Sequence, residues 1–415
     1  MKEWTKFAAV LRFVRVSLVS AAAVMIASVC NAQTEERGKG FDYGEIDGVF
    51  ENPKDREGYV DFGPLDPVFT RYFEAKEALR EATGISYLIE DRLINQWGEG
   101  TSVYDNELNL IGRWDFWESG TLGSASLNVW GQFAQSIGGR TVGRFQADLG
   151  ALSPLNGGNS GPDTTNEILH MLAWEQIAPG NKFRLQAGKL ALRTLVNLNR
   201  YAHGDSEMFF SPMLGNNPVV PYTALLGLGA FAQWKEEEWY LSGLVRAADT
   251  ELGLSTDALR DGDFEYVGEV AFTPETAGLG AGEYRVTFSY LEETAALPGV
   301  FTVSASFDQD IGERIGAFFR YAYADGTFRD FDNRAAAGFQ LKEPLGFRFD
   351  RLGVGGWWGD PSDSSLNNEL GLEVFYKAQV KRFLEITPDA QLIVNPARSS
   401  RNLEAVVGVR LRLAL

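Results

Sequence analysis

The last stretch of the sequence, Leu403-Glu-Ala-Val-Val-Gly-Val-Arg-Leu-Arg-Leu-Ala-Leu415, decides the fold. Apolar residues occupy every second position from Leu403 to Leu415, and the charged residues Glu404, Arg410 and Arg412 fall between them. Successive side chains of a strand point to opposite faces, so this alternation predicts a strand with one apolar face and one charged face.

The same alternation recurs from residue 84 onward. Tyr284, Val286, Phe288 and Tyr290, for example, alternate with polar residues that include Arg285. Each segment comes close to the roughly 9–11 residues with which a tilted strand crosses a bilayer. The pattern predicts an all-β chain whose residues 84–415 form a transmembrane antiparallel β-barrel. We count about 16 segments, at 84–97, 104–118, 122–134, 166–178, 182–193, 223–235, 237–248, 263–273, 283–292, 300–309, 313–324, 333–342, 349–360, 367–380, 383–394 and 402–414.

The connections between these segments alternate in length. Long ones fall at 135–165, 194–222 and 249–262, and most of the others are short turns. Outer-membrane barrels have short periplasmic turns and longer outer loops. The alternative is a soluble β-sandwich or β-propeller, but sandwich strands are shorter and no repeat of roughly 40–50 residues, as in propeller blades, is found.

Aromatic residues support the membrane interpretation, because barrels concentrate them in two girdles at the membrane surfaces. Several lie near segment ends or on apolar faces, although ordinary core packing would explain any one of them. They are Trp97, Trp114, Phe116, Trp130, Trp174, Trp234, Trp239 and Trp358.

The composition excludes several classes. The 415 residues carry 38 basic and 56 acidic side chains, a net charge of −18, so nucleic acid is not an expected partner. Hydrophobic residues make up 45% of the chain, too many for a disordered protein. The mean hydropathy of −0.16 is too polar for a bundle of membrane-spanning helices.

Residues 1–32 have the pattern of a cleaved signal peptide. A basic N-terminal region is followed by an apolar stretch at 16–30, and Cys30-Asn31-Ala32 predicts cleavage after Ala32. The alternatives are a lipoprotein that keeps Cys30 and a membrane helix, for which the stretch is short. Cleavage removes four basic residues and one acid, which leaves a net charge of −21 and no cysteine.

Residues 33–83 are predicted to be a periplasmic N-terminal extension. The segment is polar up to residue 63; Asp66 and Pro67 then suggest a helix N-cap and first helical residue. Apolar positions follow at helical spacing, and Gly84 would end the helix. We expect this short amphipathic helix to dock at the mouth of the barrel; the alternative is a plug, for which 16 strands leave little room.

Catalytic and metal-binding patterns are weak. The two histidines, His170 and His203, occur without a Gly-x-Ser-x-Gly motif. Asp257, Asp261 and Asp263 could meet Ca²⁺, but the EF-hand pattern is absent and a solvated acidic loop is the simpler interpretation. We therefore expect no enzyme activity, no cofactor and no resident metal.

The alternation also predicts which side chains face the lumen. Both charge signs occur there, and such a lumen offers many donors and acceptors to a neutral polyhydroxylated solute. The alternative is a wet, non-selective pore. The pore-lining or substrate-contacting candidates are Arg113, Asp115, Arg184, Arg246, Arg320, Glu373, Asp389, Gln391, Arg410 and Arg412.

The C-terminal third resembles the carbohydrate-selective porin family (OprB-like). The motifs are Trp357-Trp358-Gly359, Asn368-Glu369, Glu373-Val374-Phe375-Tyr376, Thr387-Pro388-Asp389-Ala390-Gln391 and Asn395-Pro396. The resemblance implies a 16-stranded outer-membrane barrel that passes monosaccharides and small oligosaccharides by diffusion without a cofactor. It also implies a constriction built from charged side chains and an infolded loop, which makes 135–165 and 194–222 the candidate loops.

The functional prediction is accordingly a sugar-permeable outer-membrane porin, whose partners are sugar solutes and outer-membrane lipid. A homo-oligomer is compatible with the sequence. The alternatives are a general diffusion porin, and an exporter or surface-interaction barrel that binds through its long acidic loops.

Overall fold

The computed structural model describes residues 60–158, 165–202, 208–215, 226–249, 251–294, 298–325 and 330–415. The predicted signal peptide, residues 33–59 and His203 lie outside these ranges.

One antiparallel sheet closes on itself to form the molecule. The first strand, β1, pairs with its neighbour β2 and also with the last strand, β17, so the two ends of the sheet meet. Sixteen strands of the described chain form the wall, and a two-residue strand, β9, lies beside the start of β10. The predicted transmembrane barrel of 16 antiparallel strands is confirmed.

The strands are β1 (Ile85–Gly98), β2 (Thr101–Ser119), β3 (Gly123–Ser136), β4 (Asn166–Ile177), β5 (Phe183–Lys189), β6 (Leu228–Lys235), β7 (Trp239–Ala247), β8 (Phe264–Phe272), β9 (Glu275–Thr276), β10 (Gly280–Leu291), β11 (Val300–Ile311), β12 (Ile315–Asp325), β13 (Phe331–Lys342), β14 (Arg351–Pro361), β15 (Glu369–Lys381), β16 (Leu384–Val394) and β17 (Leu403–Ala414). Each of the 16 predicted segments overlaps one wall strand.

The clearest difference in strand length concerns β5. The segment predicted at 182–193 ends as a strand at Lys189, because the chain then leaves the wall. Leu190 and Ala191 are buried, and a 3₁₀ turn follows at Leu192–Thr194. Apolar residues that resembled a strand face therefore belong to a loop that folds into the interior.

Burial follows the predicted two-sided pattern along β17. Leu403 and Val407 are each 54% exposed, whereas Glu404, Arg410 and Arg412 are buried. The exposed side is apolar and faces lipid, and the buried side is charged and faces the interior, as in other membrane barrels.

Most of the predicted girdle aromatics lie on the outer face near strand ends. Trp174, Trp234 and Trp239 are exposed near the end that carries the short turns, and Trp97 is exposed near the opposite end. Trp130 differs, because it faces the interior, where its indole N–H donates to Asn109 at 2.9 Å. We call the two rims of the barrel the short-turn end and the long-loop end.

The helices are α1 (Asp66–Thr83), α2 (Val142–Leu149), α3 (Pro212–Gly215) and α4 (Asp257–Asp261), with 3₁₀ turns at Gly63–Leu65, Pro179–Asn181 and Leu192–Thr194. Among the described residues, no helix has the length and apolar character needed to cross a membrane.

Helix α1 begins one residue earlier than predicted. Asp66 is its first residue rather than its N-cap, because the preceding 3₁₀ turn already directs the chain into the helix. The Asp66 carboxylate instead accepts the backbone N–H of Phe62 at 3.2 Å and pairs with Lys381 at 2.7 Å. Gly84 ends the helix as predicted, with φ 71° and its N–H donating to the Arg80 carbonyl.

Helix α1 packs against the rim at the short-turn end. Phe69 stacks on Phe383, in the turn between β15 and β16, with ring centroids 3.9 Å apart. At the other end of the helix, the Trp114 indole on β2 donates to the Thr83 carbonyl at 3.2 Å. Strands β15, β16, β17, β1 and β2 are consecutive neighbours in the wall, so α1 runs along the rim rather than across the lumen.

Candidate pore constriction

Two long loops fold into the barrel. The first follows β3 and contains α2, and the second follows β5 and contains α3. Leu149 and Leu155 of the first loop are buried with Val103, Ile393 and Val406 of the wall. The described parts of the two predicted loops, 135–165 and 194–222, therefore occupy the interior.

Glycines on β14 make room for the second loop. A Cβ placed on Gly355 would meet Leu214 at 3.0 Å and Phe209 at 3.1 Å, and one on Gly359 would meet Met213 at 3.2 Å. Strand β14 thus has inward glycines where loop side chains pack. These glycines let an apolar part of the loop approach the wall backbone closely.

Charged wall residues hold the second loop through its backbone. The Arg320 guanidinium donates to the carbonyl oxygens of Ala202 at 2.6 Å, Asn197 at 2.8 Å and Gly215 at 2.9 Å. Arg410 donates to the Met208 carbonyl at 2.9 Å. A planar guanidinium with five N–H donors suits several backbone carbonyls at once.

Two glutamates on β15 hold both loops. Glu373 accepts the N–H groups of Phe210 at 2.5 Å and Ser211 at 3.0 Å. Glu369 accepts those of Leu152 at 2.6 Å and Ser153 at 3.0 Å. Because the N–H groups of the loops point at buried carboxylates, the loops have a fixed position against the wall.

Two further predicted residues lie beside these contacts. Gln391 donates to the Leu155 carbonyl and to the Asp389 carboxylate, each at 3.0 Å. The two loops also touch each other, since the Ser211 hydroxyl donates to the Pro154 carbonyl at 2.8 Å.

A second group of predicted residues forms an ion-pair network on β2, β4 and β5. Glu175 is fully buried; it pairs with Arg184 at 2.8 Å and with Arg113 at 3.1 Å. Arg113 also pairs with Asp115 at 2.9 Å, whose side chain is 26% exposed. Gln186 donates to Glu175 at 2.6 Å. Two arginines and two carboxylates thus neutralise one another on the interior face.

The remaining two predicted residues are separate from both groups. Arg412 pairs with Glu90 and, at 3.2 Å, with Glu385. Arg246 pairs with Glu265 at 2.7 Å near the long-loop end. All ten candidates therefore lie on the interior face, but they form distinct clusters; whether each contacts a solute stays a prediction.

Sequence reasoning missed one interior cluster. Arg200, in the second loop, pairs with Asp308 at 2.5 Å and Asp310 at 3.0 Å on β11, and Lys342 pairs with Asp310 at 3.2 Å. The Tyr201 ring lies between Arg200 and Lys342, with its centroid 5.3 and 5.4 Å from their charged groups. The inward spacing of Asp308 and Asp310 was a signal for a basic partner, but an irregular loop gave no means to identify it.

Electrostatics in this cluster favour charged Arg200 and neutral Tyr201. Burial lowers the pKa of Arg200, but the neighbouring Asp308 outweighs it, so the net effect is a raised pKa. Burial, assisted by the hydrogen bond to Asp310, raises the pKa of Tyr201.

The histidine in the described chain has a packing role. His170 is 9% exposed; its Nε2 lies 3.1 Å from the Gln132 amide oxygen, and its ring packs on Trp130 at 4.5 Å. Within the described ranges, no three His, Cys, Asp or Glu side chains cluster closely enough to hold a metal ion.

A closed 16-stranded barrel with a lipid-facing apolar surface and a polar interior that receives long loops is the architecture of outer-membrane porins, and this chain has that architecture. Two solved structures of Pseudomonas putida OprB, at high and low pH, have the same fold. They superpose with TM-scores of 0.66 and 0.55 at 12% identity, over 83% of this chain and 97% and 96% of those chains.

Residues 282–415 match the model of the family described as carbohydrate-selective porin, OprB family. The resemblance carried by the motifs between Trp357 and Pro396 is thereby confirmed. Relatives named Porin AaxA are 23% identical in Chlamydia abortus (strain DSM 27085 / S26/3) and 25% in Chlamydia pneumoniae. These matches cover 62% and 60% of this chain, which spans 59% of the length of each relative.

Proposed function

We propose that this protein is an outer-membrane porin that lets monosaccharides and small oligosaccharides enter the periplasm by passive diffusion. The observation that carries the proposal is the pairing of interior charges around Glu175, where Arg113, Arg184 and Asp115 compensate one another. Fixed donors and acceptors with little net charge suit a neutral polyhydroxylated solute better than an ion. The family match over residues 282–415 supports the same solute class.

The infolded loops supply the selectivity in this proposal. They narrow the lumen along the strands that hold them, which run around the wall from β8 through β17 to β2. The ten predicted residues act in two ways. Arg320, Glu373, Asp389, Gln391 and Arg410 position the loops. Arg113, Arg184, Arg246 and Arg412 balance the buried acids of the interior wall, and Asp115, 26% exposed, presents its carboxylate to the channel.

Liposome swelling tests the proposal directly. Purified full-length protein is reconstituted, and swelling is compared in glucose, a disaccharide and a zwitterion of the same size as the sugar. Faster swelling in the sugars is expected. Equal rates would instead make the chain a general diffusion porin.

A very low rate for every solute would favour the export or surface-binding alternative. That alternative predicts a binding activity that disappears when the loops at 135–165 or 194–222 are deleted. A monomer or a homo-oligomer is compatible with either outcome.

A further inference from the structure

Helix α1 has an apolar side that the barrel does not cover. Val68, Ala75 and Leu79 follow one another at spacings of seven and four residues, so they share one side of the helix. All three are exposed, Val68 by 60% and Leu79 by 37%, and Leu65 just before the helix is 55% exposed. We call these four residues the apolar stripe.

The apolar stripe is distinct from the side that docks on the rim. Phe69, Phe73 and Lys76 form the docked side, where Arg382 lies over the Phe73 ring at 4.0 Å. A third side carries Thr70, Glu74 and Glu81, which are polar and exposed. At 3.6 residues per turn, the stripe and the polar side lie on roughly opposite sides of the helix, with the docked side between them.

The stripe borders the surface that the barrel presents to lipid. Lys76 lies 5.0 Å from the centre of the Tyr87 ring, and Tyr87 is on the outward face of β1. Trp114, which donates to Thr83, is on the outward face of β2. The apolar stripe is therefore continuous with the lipid-facing wall rather than with the lumen.

Aromatic residues mark the level of the membrane surface at this rim. Phe116 and Trp117 are exposed on the outer side of β2, close to the residue that receives the end of α1. Such aromatics sit at the headgroup level of barrels. An amphipathic helix at that level, with its axis along the rim, has the orientation of an interfacial helix, whose apolar side enters the bilayer by about 5–10 Å.

We propose that α1 is an interfacial helix whose apolar stripe inserts into the phospholipid leaflet at the short-turn end of the barrel. The polar side, with Glu74 and Glu81, then faces water. The chain thus holds the membrane by two elements, the barrel wall and a tangential helix beside the seam between β1 and β17.

Site-specific fluorescence tests this assignment in the full chain. Leu79→Cys and Val68→Cys, each made with Cys30→Ser and labelled with an environment-sensitive fluorophore, report on the stripe; Glu74→Cys is the matched control on the polar side. Each is reconstituted into phosphatidylethanolamine/phosphatidylglycerol vesicles with and without lipids that carry a shallow nitroxide. The heat-modifiable electrophoretic mobility of each sample verifies that the barrel is folded.

The proposal expects blue-shifted emission at positions 68 and 79, strong quenching by the nitroxide lipids and protection from aqueous iodide. The label at position 74 should show the reverse pattern. Iodide quenching at 68 and 79 equal to that at 74 would overturn the proposal. Protection from both iodide and nitroxide lipids would also overturn it, since a protein segment, such as residues 33–59 or a partner, would then cover the stripe.

Discussion

Phe210 and Glu373 are in direct contact although they are 163 positions apart in the sequence: the Glu373 carboxylate accepts the Phe210 N–H at 2.5 Å. The same carboxylate accepts the Ser211 N–H at 3.0 Å. One side chain of β15 therefore holds two consecutive N–H groups of the second infolded loop, next to the Arg410 contact with Met208.

Glu373→Ala should release this part of the loop and enlarge the channel. Two buried N–H groups would lose their acceptor, at a cost of about 1–3 kcal/mol each. Planar-bilayer recordings should show a higher and noisier single-channel conductance. Glu313→Ala, in an exposed turn, is the control; an unchanged conductance in Glu373→Ala would mean that the loop does not limit flow.

Glu175→Gln should convert the network on β2, β4 and β5 into an anion-attracting site. Arg113 and Arg184 would both lose their shared carboxylate, leaving Asp115 as the remaining acid. The reversal potential in a salt gradient should move toward the anion potential, and Glu118→Gln at the exposed end of β2 should leave it unchanged. Loss of one partner of a buried pair costs about 3–5 kcal/mol, so folding of the variant is verified by electrophoretic mobility. A folded variant with the wild-type reversal potential would show that the network lies outside the ion path.

Gly355→Val should loosen the second loop by overpacking. Its side chain would collide with Leu214 and Phe209, at a cost of about 1–3 kcal/mol. Thermal unfolding should occur at lower temperature and loop proteolysis should accelerate. In Gly268→Ala on β8, the added Cβ meets nothing within 4 Å, so that variant should be at least as stable as wild type. Wild-type stability in Gly355→Val would contradict the close packing of the loop against β14.

Docking of α1 should strengthen as pH rises from about 8 toward 10. Burial, with a smaller effect of Arg382, lowers the pKa of Lys76 from 10.5 to about 8. Within this window the undocked helix binds more protons than the docked one, so the docking free energy becomes more favourable with rising pH. Burial raises the pKa of the neighbouring Tyr72 above its ordinary value of 10.0. Ionisation of Tyr72 therefore weakens docking, but only above about pH 10.

Trypsin cleavage after Arg71 measures this effect. The cleavage rate of the wild type, divided by that of Lys76→Met at the same pH, should fall between about pH 8 and about pH 9.5. The variant lacks the titrating amine, so its rate does not report this change in docking. Lys182→Met, at an exposed turn, should behave like wild type. A constant ratio between wild type and Lys76→Met would contradict a docked Lys76 with a lowered pKa.

Much of the fold could be predicted from the sequence, because a strand with lipid on one side and a polar interior on the other must alternate apolar and polar residues. Leu403, Val407 and Leu411 therefore identified β17 and its outward face. The interior face of Glu373 and Arg320 followed from the same rule.

The loop partners of Glu373 and Arg320 could not be predicted from the alternation. These hydrogen bonds use the backbone N–H of Phe210 and the backbone carbonyl of Ala202. Almost every residue has such groups, and an irregular loop has no periodicity that would indicate which of them face the wall. Arg200 and α2 were missed for the same reason. The early end of β5 was missed because the buried loop residues Leu190 and Leu192 are as apolar as a strand face.

The Leu155 carbonyl accepts hydrogen bonds from Gln96 on β1 at 3.2 Å and from Gln391 on β16 at 3.0 Å. These two strands flank β17, so the first infolded loop bridges the place where the sheet closes. The β1–β17 pairing closes the sheet, and this shared carbonyl adds a clasp across the closure from inside the cylinder. We therefore expect removal of the first loop both to widen the lumen and to lower the resistance of the closed sheet to unfolding.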